Sequence, residues 1–230
     1  MFHILRSDLP SDISQRPINI MASIKSYELV TTNLKRTKAE LRQDDGTPIY
    51  EVDLSFATTD CVRSTHPDRH AIVLATSSSS DAIQTTLGTC DFTFRSMTTP
   101  IHLGFGNPAD KVDAMIWEDM HVREKMRQSG FELTIDLGGT IGRKVFDWKR
   151  THDITTQSAL GKKLDTLHLK MVERDTDTVV ARFVHHFMFG SKRGTFELEQ
   201  YEGGSDWERT VLLSGLAVLE YMRKSQGWSW

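Results

Sequence analysis

Val211-Leu212-Leu213-Ser214-Gly215-Leu216-Ala217-Val218-Leu219-Glu220-Tyr221-Met222 is the stretch on which the reading of the fold turns. Only Ser214, Gly215 and Glu220 interrupt its apolar character. A surface helix carries one apolar stripe and a polar opposite face, and this segment is greasy nearly all round. Helix signals flank it. Ser205-Asp206-Trp207-Glu208 offers a capping box, in which the Ser205 hydroxyl takes the Glu208 amide and the Glu208 carboxylate reaches back. Arg223 and Lys224 suit the negative C-terminal end of a helix, and Gly227 is a natural stop. The spacing predicts a helix over 207–224. Twelve residues at ~1.5 Å each span about 18 Å, well short of a bilayer core of ~30 Å. Such a helix has to be enclosed by protein. Each large apolar side chain so buried is worth about 1.5–3 kcal/mol. Small residues at 214, 215 and 217 would let an enclosing wall come close.

The rest of the chain supplies the wall. Tyr50–Phe56 and Phe131–Leu137 alternate apolar and polar residues without a break, and Cys90–Phe94, Ile101–Phe105 and Phe196–Glu199 do so over shorter runs. A period of two places one face of a strand in the core and the other in water. Turn residues separate the runs: Asp44-Asp45-Gly46, Asp175-Thr176-Asp177 and Gly190-Ser191-Lys192-Arg193-Gly194. No strand–helix–strand rhythm appears, which argues against a parallel doubly wound sheet. Residues 108–128 admit two readings, a short helix capped by Asp110 or a strand over Met115–Val122. The expected fold is mainly β: an antiparallel closed β-barrel of about twelve strands around a central apolar C-terminal helix. A sandwich with the helix packed on one face, its other side hidden in a dimer, is the weaker alternative. Residues 1–22, with Pro10 and Pro17 and no period, read as a loosely ordered arm, and Met21 is a second plausible start. The barrel domain takes 23–230.

Three segments of this layout resemble the tubby C-terminal-like superfamily, which includes tubby domains, phospholipid scramblases and LURP-one-related proteins. They are Val145-Phe146-Asp147-Trp148-Lys149-Arg150, the pair Leu167–Glu173 and Thr178–Phe183, and the terminal helix 207–224. The similarity is to fungal tubby-like domains of unknown function. It implies a barrel around a central helix and no shared catalytic residues. Tubby binds phosphoinositides through basic residues on the barrel. No stretch here matches that basic pocket, so no individual contact carries over. The membrane segment and cysteine-rich stretch of scramblases are absent from the sequence.

Composition narrows the function classes. The 230 residues carry a net charge of −3, which disfavours nucleic-acid binding driven by overall charge. Residues 1–120 are net −5 and residues 121–230 net +2, so the second half could present a local basic face. The cysteines, Cys61 and Cys90, make no disulfide scaffold. No apolar run suits a secretory signal or a membrane span. The expected setting is soluble and cytoplasmic, with a membrane-peripheral or nuclear location as variants.

The basic pairs Arg143-Lys144, Lys149-Arg150, Lys162-Lys163 and Lys192-Arg193 are the candidate contacts for an anionic lipid headgroup or a phosphorylated ligand. The expected role is a non-enzymatic binding module for a peripheral membrane lipid or a protein partner. The alternative is a small-molecule enzyme or carrier with a pocket at one end of the barrel, using Asp147, Trp148, His185 and His186. A purely structural protein is a third option. No cofactor and no metal are expected. His66 and His70 stand four apart, but Pro67 between them disfavours the helix a metal pair would need. Leu137–Lys144 is glycine-rich, yet it lacks the Gly-Lys-Ser/Thr ending of a phosphate loop, so a hairpin is expected there.

Overall fold

A computed structural model of the chain describes residues 24–54, 70–77, 84–91, 100–108, 115–123, 130–138, 141–151, 168–186, 190–201 and 203–225. The strands are β1 (Lys25–Thr31), β2 (Lys38–Arg42), β3 (Pro48–Asp53), β4 (Ile72–Thr76), β5 (Thr86–Asp91) and β6 (Ile101–Phe105), followed by β7 (Ile116–Val122), β8 (Gly130–Asp136), β9 (Arg143–Arg150), β10 (Leu169–Glu173), β11 (Thr178–His185) and β12 (Lys192–Leu198). The helix, α1, runs Gly204–Ser225. Every strand pairs antiparallel with its chain neighbour, and β1 pairs with β12, so the sheet closes into a twelve-stranded barrel. Closure leaves no exposed sheet edge.

The hairpin signals act as their chemistry requires. Gly46 adopts φ +83° and its amide bonds Gln43 O at 2.8 Å, turning β2 into β3. Between β8 and β9, Leu137 N bonds Gly142 O at 3.2 Å, and Gly138 and Gly142 both adopt positive φ. The glycine-rich stretch therefore turns a hairpin, and a strand follows it. The ambiguous region resolves as strand over Ile116–Val122, while 109–114 lie outside the described residues. Two expectations need correction. Strand β12 begins at Lys192, inside the stretch read as a turn, because Lys192 pairs with Val30 of β1. The capping box at the start of α1 does not form either. The Glu208 carboxylate turns across to β1 and β3 instead.

The helix fills the barrel. Every residue from Thr210 to Met222 is buried, including Ser214 and Glu220. The inward faces of the strands meet it with large side chains: Phe146 lies 5.0 Å from Trp207 between ring centres, and Phe131 lies 5.5 Å from Tyr221, edge to face. The small residues sit where the wall comes closest. A Cβ on Gly215 would lie 2.5 Å from a Phe196 ring carbon. The Trp148 indole N–H donates to Ser214 Oγ at 2.9 Å, so both buried polar groups are satisfied. Trp148→Phe and Ser214→Ala should each cost about 1–3 kcal/mol, since each leaves the other's polar atom without its buried partner. The double variant should cost less than the two together. A thermodynamic cycle by urea melts checks this, and strict additivity would mean that the bond contributes nothing.

Candidate functional site

Antiparallel order gives the barrel two mouths. Helix α1 enters at one, beside the start of β1, and its C-terminal turn reaches the other, beside the β1–β2 turn. The entry mouth is organised by Glu208. Tyr27 Oη donates to its carboxylate at 2.6 Å, Lys25 Nζ at 2.7 Å, and Tyr50 Oη also donates. Burial works to raise the Glu208 pKa, but these donors outweigh it and hold the carboxylate below its usual range. Both tyrosines are pushed up, by burial first and then by the carboxylate. At the far mouth Glu220 is buried and its pKa is raised by desolvation, against the opposing charge of Arg223, which donates to it at 2.9 Å. Burial also pushes the Cys90 thiol well up, with Asp91 and Glu220 adding to it, which favours the neutral thiol over the thiolate.

Among the described residues the basic pairs do not form one patch. Along β9, Arg143 donates to Glu118 at 2.7 Å and Lys144 reaches Glu173 at 2.8 Å. Lys149 lies 3.6 Å from Asp147. Lys192 pairs with Glu28 on the outer wall. Alternation along β9 splits each of its two pairs between two directions. Arg150 closes β9 at the far mouth, and burial lowers its pKa. Lys162 and Lys163 lie outside the described residues.

Arg193 behaves differently. The β1–β12 register passes from Leu29↔Gly194 to Val30↔Lys192, so Arg193 is the extra residue of a bulge. It is only 9% exposed and donates from Nη2 to Thr31 Oγ1 at 3.3 Å. Its Nε is buried without a hydrogen-bond partner. Burial lowers its pKa, and the nearby Arg36 charge lowers it further. Arg36 sits in the β1–β2 turn at φ 55°, with its amide on Asn33 O at 3.0 Å. Asn33 Oδ1 in turn accepts the Thr37 amide at 2.9 Å. Lys35 and Arg36 are exposed, and Leu34 between Asn33 and Lys35 is fully exposed. No sequence signal marked this turn, because its meaning depends on a bulge in a strand some 160 residues away.

The residues of the alternative pocket do not share a cavity. Trp148 faces α1, whereas Asp147, its neighbour, faces outward and accepts from Arg174 Nη2 at 2.6 Å and Nε at 3.2 Å. Arg174 also bonds Glu132 at 2.7 Å, and Glu132 stands directly opposite Asp147 in the β8–β9 register. Two carboxylates facing each other across a ladder repel, and the guanidinium between them turns that into an outer-wall ion cluster. Arg174's bonds hold Asp147 below the usual carboxylate range against the effect of burial. The His185 amide bonds His168 Nδ1 at 3.1 Å. His186 Nε2 lies 2.9 Å from Thr195 Oγ1, and burial together with Lys192 keeps its pKa low. Pairs that the sequence did not point to are His70–Asp91, at 3.0 Å, and His102–Asp119, at 2.6 Å. His66 lies outside the described residues.

No family model matches the chain, and no curated protein or solved structure matches it. Among the described residues no helix is long and apolar enough to cross a membrane. None of their His, Cys, Asp and Glu clusters could hold a metal ion. Described residues line depressions on the outer wall and at the entry mouth. The first, about 190 Å³, lies among Glu40, Glu51, Asp53 and their neighbours. The second, about 260 Å³, lies among Phe105, Ile116, Ile135, Leu137 and Arg209.

Proposed function

We propose that the protein is a tubby-like, non-enzymatic binding module that recognises an anionic ligand, a phospholipid headgroup or a phosphorylated molecule, at the helix C-terminal mouth of its barrel. The observation that carries this reading is the occupied interior. With α1 buried from Thr210 to Met222, a ligand has to engage a mouth or the outer wall. Between these, the charges favour the mouth. Arg143, Lys144, Lys149 and Lys192 already hold carboxylates. Lys35 and Arg36 are exposed in the β1–β2 turn beside Arg193. The exposed Leu34 next to these cations suits a surface that meets lipid headgroups and the acyl boundary together.

Vesicle co-sedimentation tests the reading. The protein should pellet with phosphatidylcholine vesicles that contain phosphatidic acid and not with phosphatidylcholine alone, and added salt should weaken the binding. Lys35→Glu together with Arg36→Glu should reduce binding by about tenfold or more, each charge near the surface being worth ~1 kcal/mol and reversal doubling the change. Arg143→Glu with Lys149→Glu should change it by less than about threefold, the scale of an exposed ion pair. If the parent binds neither acidic vesicles nor soluble phosphates, the proposal fails. A stronger effect from the wall pair than from the turn pair would move the site to the wall.

A further inference from the structure

We propose that Arg193, with the Thr31 hydroxyl and Arg36 beside it, forms a binding site for a phosphate-type oxyanion. This rests on the reading above and names the group at its centre. The first ground is burial without compensation. A guanidinium withdrawn from water is strongly unfavourable unless an anion and a full set of acceptors replace the lost hydration. Arg193 is more than nine-tenths buried, and its one hydrogen bond goes to a neutral hydroxyl. Its Nε has no acceptor, and among the described residues it makes no ion pair with a carboxylate.

The second ground is backbone geometry. The bulge that removes Arg193 from the β1 register separates it from Lys192, which takes Glu28. The neighbouring carboxylate is therefore engaged elsewhere. Gly194, the next residue, is pressed onto β11: a Cβ there would lie 2.4 Å from the Phe183 ring and 2.5 Å from Val184 O. This close approach pins the strand beside the bulge, so the guanidinium is held in place by the sheet. The third ground is the sign of the surroundings. Arg36 acts on Arg193 as a like charge. Two guanidiniums whose charges act on each other, one of them buried with an unused donor, call for a counter-charge. Guanidinium forks match tetrahedral oxyanions with paired N–H···O bonds, and the Thr31 hydroxyl, which donates to Ser191 O at 3.1 Å while accepting from Arg193, steadies the fork.

The test compares the full chain with Arg193→Met and Arg193→Lys, using thermal melts in chloride and in inorganic phosphate at equal ionic strength, and vesicle binding as above. Phosphate or acidic vesicles should engage the parent. Arg193→Met should melt no lower than the parent in chloride, since an apolar isostere removes an uncompensated buried charge. It should lose about tenfold or more in affinity, the scale of a charge-assisted bond. Arg193→Lys should retain part of the response, keeping the charge without the fork. A response to phosphate identifies soluble phosphate chemistry, and a response to vesicles alone identifies a lipid headgroup. Parental affinity in Arg193→Met overturns the inference while leaving the binding-module reading standing. A melt for Arg193→Met far below the parent in chloride overturns it too, because the guanidinium would then be satisfied inside the fold. Silence of the parent toward both probes overturns the inference and the reading together.

Discussion

Substitution of Gly215→Leu is expected to abolish cooperative folding. Position 215 faces the wall where it comes closest: a Cβ would stand 2.5 Å from one Phe196 ring carbon, 3.1 Å from another and 3.2 Å from Trp148 Cζ2. Phe196 and Trp148 are themselves fully buried and ringed by the core, so neither can withdraw. Native interiors pack at the density of organic crystals, and a whole isobutyl group has no space there. The helix would have to shift along or out of the barrel, uncovering Leu212, Leu213 and Leu216. Gly215→Ala separates the two opposing effects at this site. Alanine favours the helix by roughly 1 kcal/mol, while overpacking costs about 1–3 kcal/mol. A net loss is expected, because the clash is with aromatic rings of the wall. Near-ultraviolet circular dichroism and urea melts read both variants. A Gly215→Leu protein that melted like the parent would mean that the helix is not seated against Phe196 and Trp148.

Glu208 carries the second large effect. Its carboxylate is almost enclosed and collects donors from β1 and β3, which ties the first turn of the helix to the strands that begin the barrel. Glu208→Ala should cost about 1–3 kcal/mol for each enclosed hydroxyl that loses its acceptor. Most of that loss comes from the stranded tyrosyl hydroxyls. The lysine contributes little, because Lys25 is largely exposed and its pair is screened by solvent. The same site predicts a pH dependence. Because the folded-state pKa lies below the unfolded one, the Glu208 contribution is complete above the ordinary carboxylate range and is lost as pH falls through the depressed folded value. Glu208→Gln should therefore be less stable than the parent at neutral pH and should lose less on acidification. Melting temperatures across the acid range check this. Equal slopes for parent and variant would show that Glu208 is not held ionised by the fold. Glu220 acts with the opposite sign: its raised pKa makes its contribution less favourable as pH climbs past the usual carboxylate range.

Arg193 illustrates what pattern reading can and cannot reach. It was legible as one half of a basic pair, and the pair was a reasonable anion contact on charge alone. The bulge that splits it from Lys192 depends on how β12 meets β1, strands at opposite ends of the chain. The same holds for Asp147 and Trp148. They are neighbours in sequence, yet the pleat sends one to Arg174 and the other to Ser214. The Ser205–Glu208 capping box is a local rule that lost to a distant competitor, since the buried Tyr27 and half-buried Tyr50 phenols supply stronger partners than a solvent-facing amide.

The period of two along the strands, the turn residues between them and an apolar helix too short for a bilayer were enough to specify a barrel closed around its own C-terminus. These are properties of neighbouring residues, and backbone sterics and hydrophobic burial convert them into elements and faces. The pairing of charges was settled only in three dimensions. Which cation meets which carboxylate, and which is left facing a mouth, depends on register and bulges between strands far apart in the chain. Coulomb and hydrogen-bond energies depend on final positions, and residue order does not encode those positions locally.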